Sequence, residues 1–167
     1  MKIITDTPRL IIAEIDNNDV DQLFELNSNQ QVMKYLPKVY NYAETKEKID
    51  DIVDQYGKYG YCFWKLLSKD NNNFIGIAGL LNQEVCGKVE TEISYRIKLQ
   101  YWNYGFATEA AKACKKYGEK VLNKNRFIFI IHPENIASKH IAEKLGAVKS
   151  KTITFKGASY EMYVCYN

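Results

Sequence analysis

The segment QYWNYGFATEAAKACKKYGEKVL, Gln100 to Leu122, sets an aromatic, glycine-punctuated loop directly before an alanine-rich helix. Gly105 can take a positive φ and lets a ligand approach the backbone. The first amides of a helix have no internal acceptor, and with the helix dipole they offer about half a positive charge, so this junction suits a phosphate without any lysine. Upstream, the strand-like KVETEISYRIKL alternates, with Glu90, Glu92, Ser94 and Arg96 on one face and Val89, Thr91, Ile93, Tyr95 and Ile97 on the other. A carboxylate on that polar face can accept a proton directly or through water, or it can be a solvated charge or the partner of Arg96. His132, closing the apolar run RFIFIIHP, is suited to proton transfer near neutral pH or to packing.

These residues need elements to hold them. RLIIAEI (Arg9 to Ile15) reads as a strand, followed by a short helix with Val20, Leu23 and Phe24 on one face. AETKEKIDDIVDQYG carries Ile49, Ile52, Val53 and Tyr56 on a helical stripe and is expected to stop at Gly57. Three strands follow, YCFWKLL, FIGIAGLL and KVETEISYRIKL, separated by the turn-rich SKDNNN and NQEVCG. A helix from about Thr108 to Leu122 has small residues enough to lie close to a sheet. RFIFIIHP is expected to be a central strand covered on both faces, PENIASKHIAEKLGA a helix closed by Gly146, and SKTITFKGASYEMYVCYN a final hairpin turning near Lys156 to Ser159.

With 167 residues, 46% hydrophobic and 26% charged, the chain is expected to form one domain over residues 1–167. Lys and Arg number 23 against 20 Asp and Glu, spread without a basic run, so nucleic acid is not the expected partner. No window approaches the ~20 apolar residues of a membrane span, and the amino end lacks a secretory pattern, which points to a cytoplasmic protein. Four widely spaced cysteines without a CxxC pair argue for free thiols, and two histidines eight residues apart do not make a metal site.

Three segments in order, TPRLIIAEI, WNYGFATEA and NIASKHIAEKLGA, resemble the GNAT N-acetyltransferase superfamily. Its signature loop reads Arg or Gln, two residues, Gly, one residue, then Gly or Ala; Trp102, Gly105 and Ala107 hold that spacing. Trp in the first place is similar to the ribosomal-protein alanine and serine N-acetyltransferase branch, whose loop commonly reads YWGxGYATEA. That branch also has a T-x-R-L opening strand and an N-x-x-S-x-x-x-x-x-K-L-G-F helix. The chain departs from the pattern at Asn103, where Gly is usual, at Tyr104, where a small or basic residue is usual, and at Ala147, where Phe is common.

The resemblance implies an α/β (α+β) fold: a single mixed, mostly antiparallel sheet with helices on both faces and a splayed central strand pair. It implies acetyl-CoA as co-substrate, no metal, and transfer of its acetyl group to a primary amine, a protein N-terminus or a small molecule, by direct attack in a ternary complex. The pantetheine arm is expected along the edge near Ile97, facing Asn135, and the pyrophosphate on the amides of Asn103, Tyr104, Gly105, Phe106, Ala107 and Thr108. Glu92 matches the branch's recurrent Glu two residues before a usual Gly, where Ser94 stands, and is preferred to Glu90 as the base. Many members carry a tyrosine acid seven residues beyond the Asn; here that place is Ala142. Ser138, one turn earlier, is the alternative donor to the departing sulfur, or a helix-surface serine bonding back to a carbonyl. A homodimer is left open. So is a catalytically idle acyl-CoA-binding module of the same fold. A nucleotide-binding domain is disfavoured because no G-x-x-x-x-G-K-[ST] sequence occurs and the amino half reads as antiparallel hairpins.

Overall fold

A computed structural model describes residues 1–167. Eight strands form one sheet: β1 (Ile3–Asp6), β2 (Leu10–Glu14), β3 (Phe63–Ser68), β4 (Phe74–Val85), β5 (Lys88–Ile97), β6 (Arg126–Ile131), β7 (Val148–Phe155) and β8 (Ala158–Tyr166). Their order is β1-β2-β3-β4-β5-β6-β8-β7. Every neighbouring pair is antiparallel except β5 and β6, which are parallel and meet at one register position, Glu92 opposite Ile128. Beyond that point the two central strands separate, as expected for a splayed pair.

Four helices cover the sheet: α1 (Val20–Ser28), α2 (Tyr42–Tyr59), α3 (Phe106–Lys120) and α4 (Ile136–Lys144). One face buries Leu10, Trp64, Leu66, Leu80, Phe127 and Phe129 against Ala110, Ala111 and Cys114 of α3. Close approach there depends on Gly118, where an added Cβ would sit 2.5 Å from the Phe127 ring. The opposite face packs Ile15, Phe74 and Ile77 against Leu23 and Leu26 of α1 and Ile49 and Ile52 of α2. No helix is long and apolar enough to cross a membrane.

Several boundaries differ from the sequence reading. The second helix runs past Gly57 and stops at Gly60, whose φ of 80° supplies the left-handed cap. It starts at a capping box in which Asn41 and Glu44 satisfy each other's backbone N–H. Its buried stripe keeps Ile49, Ile52 and Tyr56 at a three- and four-residue spacing, while Val53 turns 44% exposed at the stripe's edge. The third helix starts two residues early, at Phe106, and Val121 lies beyond it. Strand β4 consumes most of the expected NQEVCG loop and reverses at Cys86 and Gly87, φ 51° and 73°, a two-residue turn matched to strand twist. Strand β1 was not expected at all, because four residues, the outer two exposed and the inner two half-buried, carry too little alternation to register.

Candidate active site

After β5 the chain makes a single 3-10 turn, Leu99–Tyr101, and then bends through two left-handed residues, Asn103 at φ 66° and Gly105 at φ 81°. Asparagine tolerates this region better than most side chains, so the departure at Asn103 preserves the bend a glycine would make. Gly105 is the N-cap of α3 and offers no side-chain cap. None of the backbone N–H groups from Asn103 to Thr108 donates a hydrogen bond within the protein. Six consecutive donors therefore stand open at the positive end of a fifteen-residue helix.

The loop is held from two sides. The Trp102 indole N–H donates to the Ile97 carbonyl at 2.8 Å, tying the loop to the end of β5. From the other side, Arg9 donates to the Tyr104 carbonyl at 2.9 Å and, through Nε, to Glu109 at 2.7 Å, while its guanidinium lies 4.5 Å over the Phe106 ring. The Thr7 hydroxyl donates to the same Glu109 at 2.6 Å. Burial pushes the Glu109 carboxyl up, but the hydrogen bonds from Thr7 and Arg9 outweigh it and hold the group below the usual carboxylate range. The T-x-R-L segment thus works as a clamp on a loop about a hundred residues downstream.

Where β5 and β6 part, a cavity of about 190 Å³ opens. Its wall includes Glu92, Ser94 and Arg96 from one face of the sheet and Tyr95 and Ser138 from the other, so the gap is a passage through the sheet. Glu92 is 7% exposed and is the only carboxylate in that wall. Burial pushes its pKa up to about 7, against the Gln83 side chain, which donates to it at 2.8 Å, the Lys156 charge, the Ile130 backbone and the Arg96 charge. Glu90, two residues away on the same face, accepts two hydrogen bonds from Arg126 at 3.0 and 2.9 Å outside this cavity. The pairing of Glu92 with Arg96 allowed by the sequence does not form; the Arg96 Nη1 donates instead to Asn27 at 2.6 Å.

The chain matches the family described as "Acetyltransferase (GNAT) domain" over residues 9–148. The chain belongs to the GNAT acetyltransferases. Among its relatives, the uncharacterized protein YkkB of Bacillus subtilis is 33% identical over 153 residues, covering 91% of this chain and 88% of YkkB. The uncharacterized N-acetyltransferase YnaD of the same organism is 31% identical over 142 residues, 84% and 79% of the two chains. Among solved structures, RimL, a ribosomal L7/L12 alpha-N-protein acetyltransferase in complex with coenzyme A, superposes with a TM-score of 0.80 at 18% identity, covering 99% of this chain and 98% of its own.

GNAT acetyltransferases use acetyl-CoA, and the loop before α3 has what an anionic pyrophosphate needs: a run of open amides and left-handed turns that expose them. The remaining expected residues take mixed positions. Asn135 is the N-cap of α4, its Oδ1 accepting from the Ser138 N–H at 3.1 Å, which leaves its amide donors free. Ile97 is buried and its carbonyl already accepts from Trp102. Ser138 and the Tyr95 phenol line the same cavity, and burial pushes the Tyr95 pKa up to about 12. Ala142 is fully buried in the main core. His132 borders the cavity but is stacked on Tyr35, edge-on to Tyr160, and its Nδ1 accepts from the Glu134 N–H at 3.2 Å. No cluster of three or more metal-ligating side chains occurs. Sequence reasoning missed Gln83, Tyr95 and Lys156 as cavity residues. Each lies on another segment or face, and only strand register carries them there.

Proposed function

We propose that this enzyme moves the acetyl group of acetyl-CoA to a primary amine by direct attack in a ternary complex, with Glu92 taking the proton from the amine. The observation that carries the reading is Glu92 itself: a lone buried carboxylate at the splay with a pKa near 7. Amines titrate near 8 to 10.4 and attack only when neutral, so a base poised near the working pH is what the reaction requires. Acetyl-CoA supplies a thioester whose C–S bond breaks as the new C–N bond forms. The open amides of residues 103 to 108 hold its pyrophosphate, and the free Asn135 amide and the β5 edge near Ile97 hold its arm. Ser138, backed by the Tyr95 hydroxyl, donates a hydrogen bond to the departing sulfur. The Trp102-type loop and the Thr7–Arg9 clamp support a place near the ribosomal-protein alanine and serine N-acetyltransferase branch, acting in the cytoplasm. Incubation with acetyl-CoA and a panel of peptides, amino acids and polyamines, read by acceptor mass gain and free thiol, tests the reading. Acetylated product with stoichiometric CoA release is expected. Tight CoA binding with no turnover on any acceptor would favour the idle module.

A further inference from the structure

The chain has three arginines, and two are neutralised: Arg9 by Glu109 at 2.6 Å and Arg126 by Glu90 at 2.9 Å. Arg96, in the cavity wall, has no carboxylate partner. Its protein contacts all run through one side of the guanidinium: Nη1 donates to the buried Asn27 Oδ1 at 2.6 Å and lies 3.7 Å from the Met33 sulfur. The group also stacks 5.0 Å over the Phe63 ring. Five N–H donors in a planar fork therefore have one strong acceptor between them. Lys156, the other cation in the wall, likewise has no ion pair and rests near the Phe155 ring at 5.2 Å.

The guanidinium is half-buried, and burial pushes its pKa down to about 10, while its unused donors are left without a protein acceptor. The sole carboxylate of the cavity, Glu92, is engaged by Gln83 and lies four residues along the strand, roughly 13 Å at about 3.3 Å per residue between backbones. With Glu92 protonated the wall carries two positive charges and no negative one.

We propose that Arg96 is an anion-recognition residue and that the acceptor is a small amine that also carries a carboxylate or phosphate, an amino-acid-like molecule. The inference rests on the acetyl-transfer reading for the amine and on Arg96 for the anion. A planar fork with free donors suits two-pronged binding of a carboxylate or phosphate, and Asn27 and Phe63 hold it in place before the ligand arrives. A cavity of about 190 Å³ has room for about six waters at ~30 Å³ each, which suits a molecule of amino-acid size. A polyamine, whose several charges are all positive, would meet two cations there and one carboxylate already needed as base.

The test uses matched acceptors at saturating acetyl-CoA: an amino acid, its carboxamide and its decarboxylated amine, then ethanolamine and its phosphate ester, then spermidine. The anionic member of each set is expected to exceed its neutral partner in kcat/KM by about 10- to 100-fold, the range for a charged hydrogen-bonded contact, mostly through KM. Whether the amino acid or the phosphate ester shows the larger ratio identifies the anion. In Arg96→Gln the ratio of acid to carboxamide should fall toward one, with the CoA-induced melting shift reporting that the variant is folded. Equal turnover of acid and carboxamide by the wild-type enzyme, or preference for spermidine, overturns the proposal. Should no acceptor be acetylated, the transfer reading fails by itself, and calorimetry of amino acid against carboxamide on the CoA-bound wild-type protein still decides the anion site. Binding of the acid alone supports it; no preference, or no binding of either, sinks it.

Discussion

Arg9, bound to the loop before α3, and Arg96, in the wall of the cavity at the splay, are treated in opposite ways. Arg9 is locked by Glu109, the Tyr104 carbonyl and the Phe106 ring, so the loop before α3 is held in place by the protein's own contacts. Arg96 has one amide acceptor and a free fork, and Glu92, farther along the same cavity wall, is a carboxylate whose pKa burial raises to about 7. The difference teaches where, in the proposed reading, each site derives its specificity. A pyrophosphate is constant and would be met by backbone amides in a fixed turn; an acceptor varies among enzymes and would be met by side chains left short of partners.

The largest effect should come from removing the proposed base. Glu92→Gln is expected to lower turnover by ~10²-fold or more while CoA binding changes little, and wild-type kcat/KM should fall below pH about 7 as Glu92 takes up its proton, a limb the variant lacks. Near-normal turnover by the variant across pH 6 to 9 would break the assignment. Stability gives an independent reading. Because the folded-state pKa lies above the unfolded one, the native protein binds the extra proton between pH about 4.5 and about 7, so this group's contribution is favourable at low pH and is lost as pH rises through that window. Glu92→Gln should then raise the melting temperature above pH 7, corresponding to at most about 3 kcal/mol at about 1.36 kcal/mol per pH unit.

At the other end, CoA at a hundredfold excess over Kd should stabilise the native protein by about 2.7 kcal/mol. Gly105→Val should abolish most of that shift, because a β-branched residue resists the φ of 81° on which the open amides depend. Differential scanning fluorimetry with and without CoA reads both. An undiminished shift in the variant would show that the turn is not what presents the phosphate site.

Ser138→Ala should slow turnover by about tenfold, roughly 1.4 kcal/mol, since a thiol of pKa near 8.5 leaves tolerably without an acid. A loss beyond a thousandfold with CoA affinity intact would mean that the departing sulfur needs a true proton donor. Ala142→Tyr should not rescue any such loss, because position 142 is fully buried and a phenol there overpacks the core.

The smallest effect sharpens the comparison most directly. Arg9→Met should cost about 1 kcal/mol of stability in the free protein, a value kept low by the half-exposed guanidinium. Arg96→Met should cost less, because the cation it removes has no counter-charge. Chemical denaturation of both variants without ligand measures the difference, and a larger loss at Arg96 would show that its contacts to Asn27 and Phe63 are structural.

Much of the molecule was legible in the chain itself. The positive-φ demand at Gly105, the open helix start after it, the alternation that puts Glu92 and Arg96 on one face, and the small residues of α3 follow from local stereochemistry, which needs only neighbours in sequence. Distance effects did not follow. That Glu90 is neutralised by Arg126 while Glu92 is buried and poised, that Thr7 and Arg9 clamp Glu109, and that Arg96 reaches Asn27 and no carboxylate depend on the register of β5 against β4 and β6 and on where α1 packs. Pairing and desolvation are set by groups far apart in the chain, and a strand pattern says which face a side chain takes without saying what waits opposite.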